Sequence, residues 1–300
     1  MEPELKFYNR CKSDFETEKV YGDKWLRFIY HNPVGRLSLW LLVKRKIFSK
    51  WYGWRMNRHS SAKKIIPFIN NFKLDETEFL DKVSSFKSFN EFFYRKLKPE
   101  SRPINRESGS VVFPADGRHL AIENISSSSQ VYAKGQFFNL EKLLNSADLS
   151  KKYANGDLII SRLCPTDYHR FHFPVSGKLS EIQLIDGYLK SVNPIALRKN
   201  LGIFWENKRY LTKIENPDLG EVIVVLIGAT CVGSVHISAE IHKHYSIGDE
   251  LGYFSFGGSC LITLFQPDKI KIDKELAKIT NDGYEIYAKF GDRMAKSLIC

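Results

Sequence analysis

The spacing of apolar residues changes character near residue 105. Before that point, apolar positions recur at helical intervals. "DKWLRFIYHNPVGRLSLWLLVKRKIFSKWYGWRM" (23–56) predicts helix, broken at Asn32-Pro33 and Gly35 and then resumed. "SAKKIIPFINNFKL" and "DETEFLDKVSSF" predict two shorter helices, the second with acids in its first turn, where they complement the helix dipole. "SFNEFFYRKLKPESRPI" closes the region at Pro99 and Pro103. From Ser110 the texture shifts to short alternating or continuously apolar runs separated by Gly, Pro, Asn and Asp. Among these strands are "SVVFPADG", "GDLIISRL", "HRFHFPVSG", "KLSEIQLIDG", "GEVIVVLIGATCVGSVHISAE" and "CLITLF", with "NLEKLL" and "NPIALRKN" as short helical interruptions. The predicted class is α+β: a helical region over residues 1–105, then a β-rich domain over 106–300 built as a sandwich or barrel-like sheet. "YFSFGGSCLITLF" (253–265) is ambiguous. Gly-Gly between two apolar runs is a hairpin signal. The alternative is that Gly258 and Ser259 themselves carry chemistry.

Charge sharpens the picture of the N-terminal region. The net charge is +11, and Lys24 to Lys64 holds eleven Lys or Arg with no Asp or Glu, so the rest of the chain sums to zero. The same segment carries Trp25, Trp40, Trp51 and Trp54, four of the five tryptophans. Indoles beside cations suit an anionic membrane surface. Nucleic-acid stacking is the competing reading, and "LSLWLLV" is too continuously apolar for it. A helix packed on its own protein with a solvated basic face is the third. No apolar run approaches the roughly 18 residues of a membrane span, and the acid-rich start makes neither a secretory signal nor a transit peptide. Five scattered cysteines without a C-x-x-C pair argue against disulfides and a thiolate metal site, so no metal is expected.

Reactive side chains concentrate in three stretches. "FPADGRH" places Asp116 in a turn, where Asp-Gly is ordinarily turn chemistry. "PTDYHRFHFP" holds His169 and His172, three apart, so a regular strand sends their rings to opposite faces and gives them different tasks. The third stretch holds Ser259. Aspartate, histidine and serine together suggest a relay in which Asp116 orients His172 and His172 takes the serine proton. The nucleophile-elbow pattern G-x-S-x-G is absent. Two glycines before the serine instead suit attack on its own backbone, because Gly258 leaves its carbonyl open to approach. Transfer of the Gly258 acyl group from nitrogen to oxygen, then β-elimination, would leave a carbonyl at the head of the downstream fragment. A serine hydrolase acting on membranes, and a basic binding protein with a dead β domain, are the alternative functions.

The ordered set "FNEFFYRKLKPESRPI", "FPADG", "KGQFFNLEKLL", "DYHRFHFP", "VNPIALRKN", "ENKRY", "VGSV" and "GDELGYFSFGGS" resembles the phosphatidylserine decarboxylases, pyruvoyl-dependent enzymes of prokaryotic type. The resemblance implies cleavage between Gly258 and Ser259 into a β chain (1–258) and an α chain (259–300), with Asp116, His172 and Ser259 as the self-cleavage triad. It implies that Ser259 becomes the covalent pyruvoyl cofactor, which forms a Schiff base with the substrate amine, and that His169 serves decarboxylation. Cys260 stands where the family most often has Thr or Ser. Phosphatidylserine in an anionic membrane is the implied partner, with no nucleic acid. A homodimer, peripheral on the cytoplasmic face of a bacterial cell membrane, is the implied assembly.

Overall fold

A computed structural model describes residues 5–18, 32, 46–125, 138–229, 235–257 and 259–299. Most of the basic segment 24–45 lies outside them, as do Lys134, Gly135, Cys231, the "VGSV" stretch up to Ser234, and Gly258. The described strands are β1 (Lys6–Asn9), β2 (Asp14–Thr17), β3 (Ser110–Val112), β4 (Gly117–Ile122), β5 (Asp157–Leu163), β6 (Arg170–His172), β7 (Gly177–Ile185) and β8 (Arg209–Asn216). They continue with β9 (Gly220–Ile227), β10 (Val235–Ile237), β11 (His244–Tyr245), β12 (Glu250–Phe254), β13 (Ser259–Phe265), β14 (Ile270–Ile272), β15 (Glu285–Ala288) and β16 (Arg293–Ser297).

Ten of them form one sheet in the order β11-β7-β8-β9-β13-β5-β4-β15-β1-β2, and two three-stranded sheets, β10-β12-β6 and β14-β16-β3, flank it. The expected β-rich texture is present. The described strand order of the large sheet ends at β11 and β2. All its pairings are antiparallel except β1 with β15.

The central strands are buried on both faces, which explains why they read as continuous apolar runs. In β9, Val222, Val224 and Leu226 enter one core cluster, while Ile223, Val225 and Ile227 enter the other. In β13, Leu261 and Phe265 face the first cluster, and Cys260, Ile262 and Leu264 the second. A third cluster, rich in phenylalanine, gathers the short helices of residues 46–93 around Phe68, Phe89, Phe92 and Phe93, and also takes in Phe256.

Two expectations change. Residues 5–18 are strands where helix was predicted. Asn9 Oδ1 accepts from the Cys11 and Lys12 N–H groups, 3.1 and 3.3 Å away, which closes a turn between β1 and β2. Strand β1 also pairs with β15, which lies near the other end of the chain. Helix is found at Lys46–Asn57, Ile65–Phe72 and Phe89–Phe93, and the same change extends to "DETEFLDKVSSF", which forms short 3-10 turns at Glu76–Glu78 and Val83–Ser85 instead of a helix. The second change concerns the hairpin: β12 and β13 do not pair with each other. Strand β12 pairs with β10 and β6, and β13 with β5 and β9. The chain changes sheets between Phe254 and Ser259.

Candidate active site

Ser259 opens β13, opposite Leu163 of β5, and is fully buried. Its Oγ has no hydrogen-bond partner among the described residues. Gly257, two residues earlier, has φ of 137°, a region that side chains avoid, and lets the chain turn between the two sheets. Phe256 anchors the approach. Its N–H donates to Asn90 Oδ1 at 2.8 Å, and its ring packs against Tyr52, Phe89 and Phe93.

His169 precedes β6 and is wholly buried, its ring 3.8 Å from that of Phe93. Its Nδ1 lies 2.9 Å from the Asp167 carbonyl. A carbonyl only accepts, so Nδ1 carries the proton and Nε2 keeps its lone pair. Nε2 is buried without a partner among the described residues. Burial pushes the imidazole down to about 3; the Asp167 and Gly257 backbones act in the opposite direction, but Gly257 does not bond the ring. The neighbouring carboxylate of Asp167 is itself fixed, accepting from Arg118 Nη1 at 2.6 Å and the Cys164 N–H at 2.7 Å.

His172, at the end of β6, stands against a different wall, as three-residue spacing requires. It stacks on Phe290 at 3.6 Å and on Tyr168 at 5.8 Å. Its Nδ1 donates to the Gly248 carbonyl at 3.0 Å, again leaving an unpartnered, buried Nε2. Gly248 has φ of 87°, and a Cβ there would meet Ile104 Cδ1 at 2.1 Å, so a side chain would be strained and would have to displace Ile104. Burial also brings His172 down to about 3. Both histidines are therefore neutral bases with the same tautomer.

Asp116 sits just before β4, 1% exposed. Its carboxylate accepts from Arg102 Nε at 3.0 and 3.1 Å, from Arg102 Nη2 at 2.7 Å, and from the Phe290 N–H at 2.9 Å. None of these bonds reaches His172. The link runs through Phe290, which bonds Asp116 by its backbone and His172 by its ring, and through the His172 N–H, which donates to Pro114 at 2.8 Å. Cys260 turns to the opposite face of β13, and burial pushes its thiol up.

Arg102, Phe290, Gly248, Asp167 and Arg118 were not singled out from the sequence. Arg102 lay inside a quoted motif, but nothing local pairs it with a carboxylate 14 residues on. Arg170 pairs with Glu250 at 2.8 Å, and His242 and His244 are exposed. Phe254 and Leu261 are ordinary core.

Among the described residues, Ser259 Oγ, His169 Nε2 and His172 Nε2 are thus buried polar atoms without a bonding partner, and the two imidazoles are set against aromatic rings. The sequence model of the phosphatidylserine decarboxylase family matches residues 89–295. A phosphatidylserine decarboxylase proenzyme of Clostridium novyi is 43% identical over 98% of this chain and all of its own length. Those of Clostridium kluyveri and Fusobacterium nucleatum are 42% and 40% identical, each over 96% of this chain and 97% and 96% of their own lengths. The chain belongs to the phosphatidylserine decarboxylase family.

Proposed function

We propose that this protein decarboxylates phosphatidylserine to phosphatidylethanolamine and CO2, with a pyruvoyl group made from its own Ser259 by cleavage after Gly258. The observation that carries the reading is the fully buried, unpartnered Ser259 hydroxyl in a chain whose relatives are named proenzymes. The residues fit the group. A pyruvoyl made from Ser259 takes that residue's own place on β13, and an orphaned hydroxyl there is costly unless it reacts.

The histidine lone pairs supply the bases. His172 Nε2 takes the Oγ proton, and Oγ attacks the Gly258 carbonyl carbon. The acyl group moves from the Ser259 nitrogen to its oxygen, and the proton goes to nitrogen. Loss of the α-proton and β-elimination release Gly258 as a new C-terminal carboxylate. Water then displaces the nitrogen as ammonia at the head of residues 259–300. Once formed, the ketone supplies the electron sink for the electron pair left by departing CO2. The free Nε2 of His169 would first take up the proton that the substrate ammonium gives up on binding, and then return it to the α-carbon. Phe93 and Phe256 keep water from this face.

Attachment to an anionic membrane surface, as a homodimer on the cytoplasmic face of a bacterial membrane, completes the proposal. Supporting it, Trp51 and Trp54 are 48% and 52% exposed, with Arg55 5.4 Å over the first and Arg58 3.6 Å over the second. No helix among the described residues is long and apolar enough to cross a membrane. Binding to phosphatidylglycerol vesicles that weakens with salt, and more so in W51A/W54A, tests this part.

The test of the chemistry is the intact mass of denatured protein. Of the 34.7 kDa chain, residues 259–300 should appear as a fragment of about 4.9 kDa, in proportion to length, that reacts with a carbonyl reagent at its first residue. A single 34.7 kDa species in a preparation that releases CO2 from phosphatidylserine would overturn the reading.

A further inference from the structure

Among the described residues, the buried arginines are compensated, with one exception. Arg102 is paired with Asp116, Arg118 with Asp167, Arg162 with Glu18 and Glu285, and Arg170 with Glu250. Arg209 donates to four backbone carbonyls. Arg95 is 5% exposed and forms no ion pair with any described residue. Its Nε is buried without a partner, and its one side-chain hydrogen bond is a long 3.4 Å contact from Nη1 to the Phe92 carbonyl. Only ring faces otherwise meet the cation, those of Phe79 at 4.6 Å and Phe92 at 4.8 Å. Cation–π contact offsets little of the cost of burying an unpaired charge.

Arg95 is also near the reacting centre. It follows the helix Phe89–Phe93, whose last residue packs on His169. Its charge is felt at the His169 ring, and Asp116, Tyr168 and Asp167 are felt at Arg95. Burial holds the guanidinium down to about 10, so it remains charged at neutral pH.

We infer that Arg95 is the anion-receiving residue of the substrate site and takes the phosphodiester of the serine headgroup; this rests on the function proposed above. The headgroup has two anionic groups, and the reaction distinguishes them. The carboxylate loses its charge as CO2 leaves, so a guanidinium paired with it would stabilise the ground state more than the transition state and slow the step. The phosphodiester keeps its charge throughout. A cation there binds ground and transition states alike, which strengthens binding at no cost in rate. Nε and Nη2, which share one edge of the guanidinium and bond no described residue, supply the two-pronged donor that phosphate oxygens accept.

The experiment compares R95Q and R95K with the unaltered enzyme on phosphatidylserine in mixed micelles. For R95Q we expect normal cleavage, KM raised roughly 10- to 100-fold and kcat changed little. R95K, which keeps the charge, should recover much of the loss. Glycerophosphoethanolamine, which has the phosphodiester and no carboxylate, should compete with substrate on the unaltered enzyme and not on R95Q. Unchanged KM in R95Q, competition that persists in it, or full-length arrest of both variants would overturn the inference; arrest would place Arg95 in self-cleavage or folding. Absence of the 4.9 kDa fragment from the unaltered protein would instead remove the proposed function itself.

Discussion

At the residue scale, the site is governed by which polar atoms have partners. His169 and His172 each fix one ring nitrogen on a backbone carbonyl and leave the other free. His169→Ala should therefore still yield the small fragment but lose about 10²- to 10⁴-fold in turnover, read by CO2 release. Ser259→Ala and His172→Ala should stay at full length, and normal processing of either would remove it from the cleavage scheme. The Asp116 carboxylate is held by Arg102, which also contacts Glu78 at 3.0 Å. Arg102→Ala leaves a buried carboxylate without its cation. In an Ser259→Ala background it should cost about 3 kcal/mol, measured by urea unfolding. Asp, His and Ser were all legible as candidates in the sequence. Their mutual arrangement was not, because Asp116 reaches His172 through Phe290, 174 residues away along the chain.

At the element scale, β13 shows why a strand can read as a hairpin arm and be something else. "CLITLF" is apolar at every position except Thr263 because both faces are buried, and Gly257 is needed because the chain leaves one sheet to join another. Local sequence carries the turn signal but not the partner. Ile262→Ala removes packing in the second core from a strand paired on both sides, and should cost about 3 kcal/mol with cleavage retained, measured by urea unfolding. The strands β1 and β2 are the opposite case. "KFYN" and "DFET" are four residues each, too short to hold as strands alone, and β1 is held by pairing with β15. The Glu18 carboxylate, 3% exposed, meets Arg162 Nη2 and lies 3.6 Å from Arg118, and these cations bring it down to about 2 against the pull of burial. Glu18→Gln should lower stability by about 3 kcal/mol, read as a fall in the urea midpoint.

At the scale of the whole molecule, the proposed cleavage would not separate the fragments. Residues 259–300 contribute β13 between β5 and β9, β15 between β4 and β1, and β16 beside β3. The two chains should co-elute in native gel filtration and part only in denaturant; spontaneous dissociation on cleavage would contradict the sheet order. Acid should weaken the fold as a whole. His119, His169 and His172 are all brought by burial from about 6.5 down to about 3. Below pH 6.5 the unfolded chain takes up protons that the folded one refuses. Stability is thus full above 6.5 and falls as pH drops towards 3, by up to about 1.4 kcal/mol per pH unit for each imidazole. The urea midpoint should fall clearly between pH 7.5 and pH 5, and a flat profile would mean that these rings are solvated.

The sequence by itself determined the change from helical to β-rich texture, the family, and the residue types of the candidate chemistry, because periodicity, turn residues and ordered motifs are local properties. Tertiary structure decided the rest: the two N-terminal strands, the sheet change before Ser259, the Arg102 pairing of Asp116, and the unpaired state of Arg95. Each depends on a partner distant along the chain, or on the lack of one, and burial gives such partnerships their energetic weight.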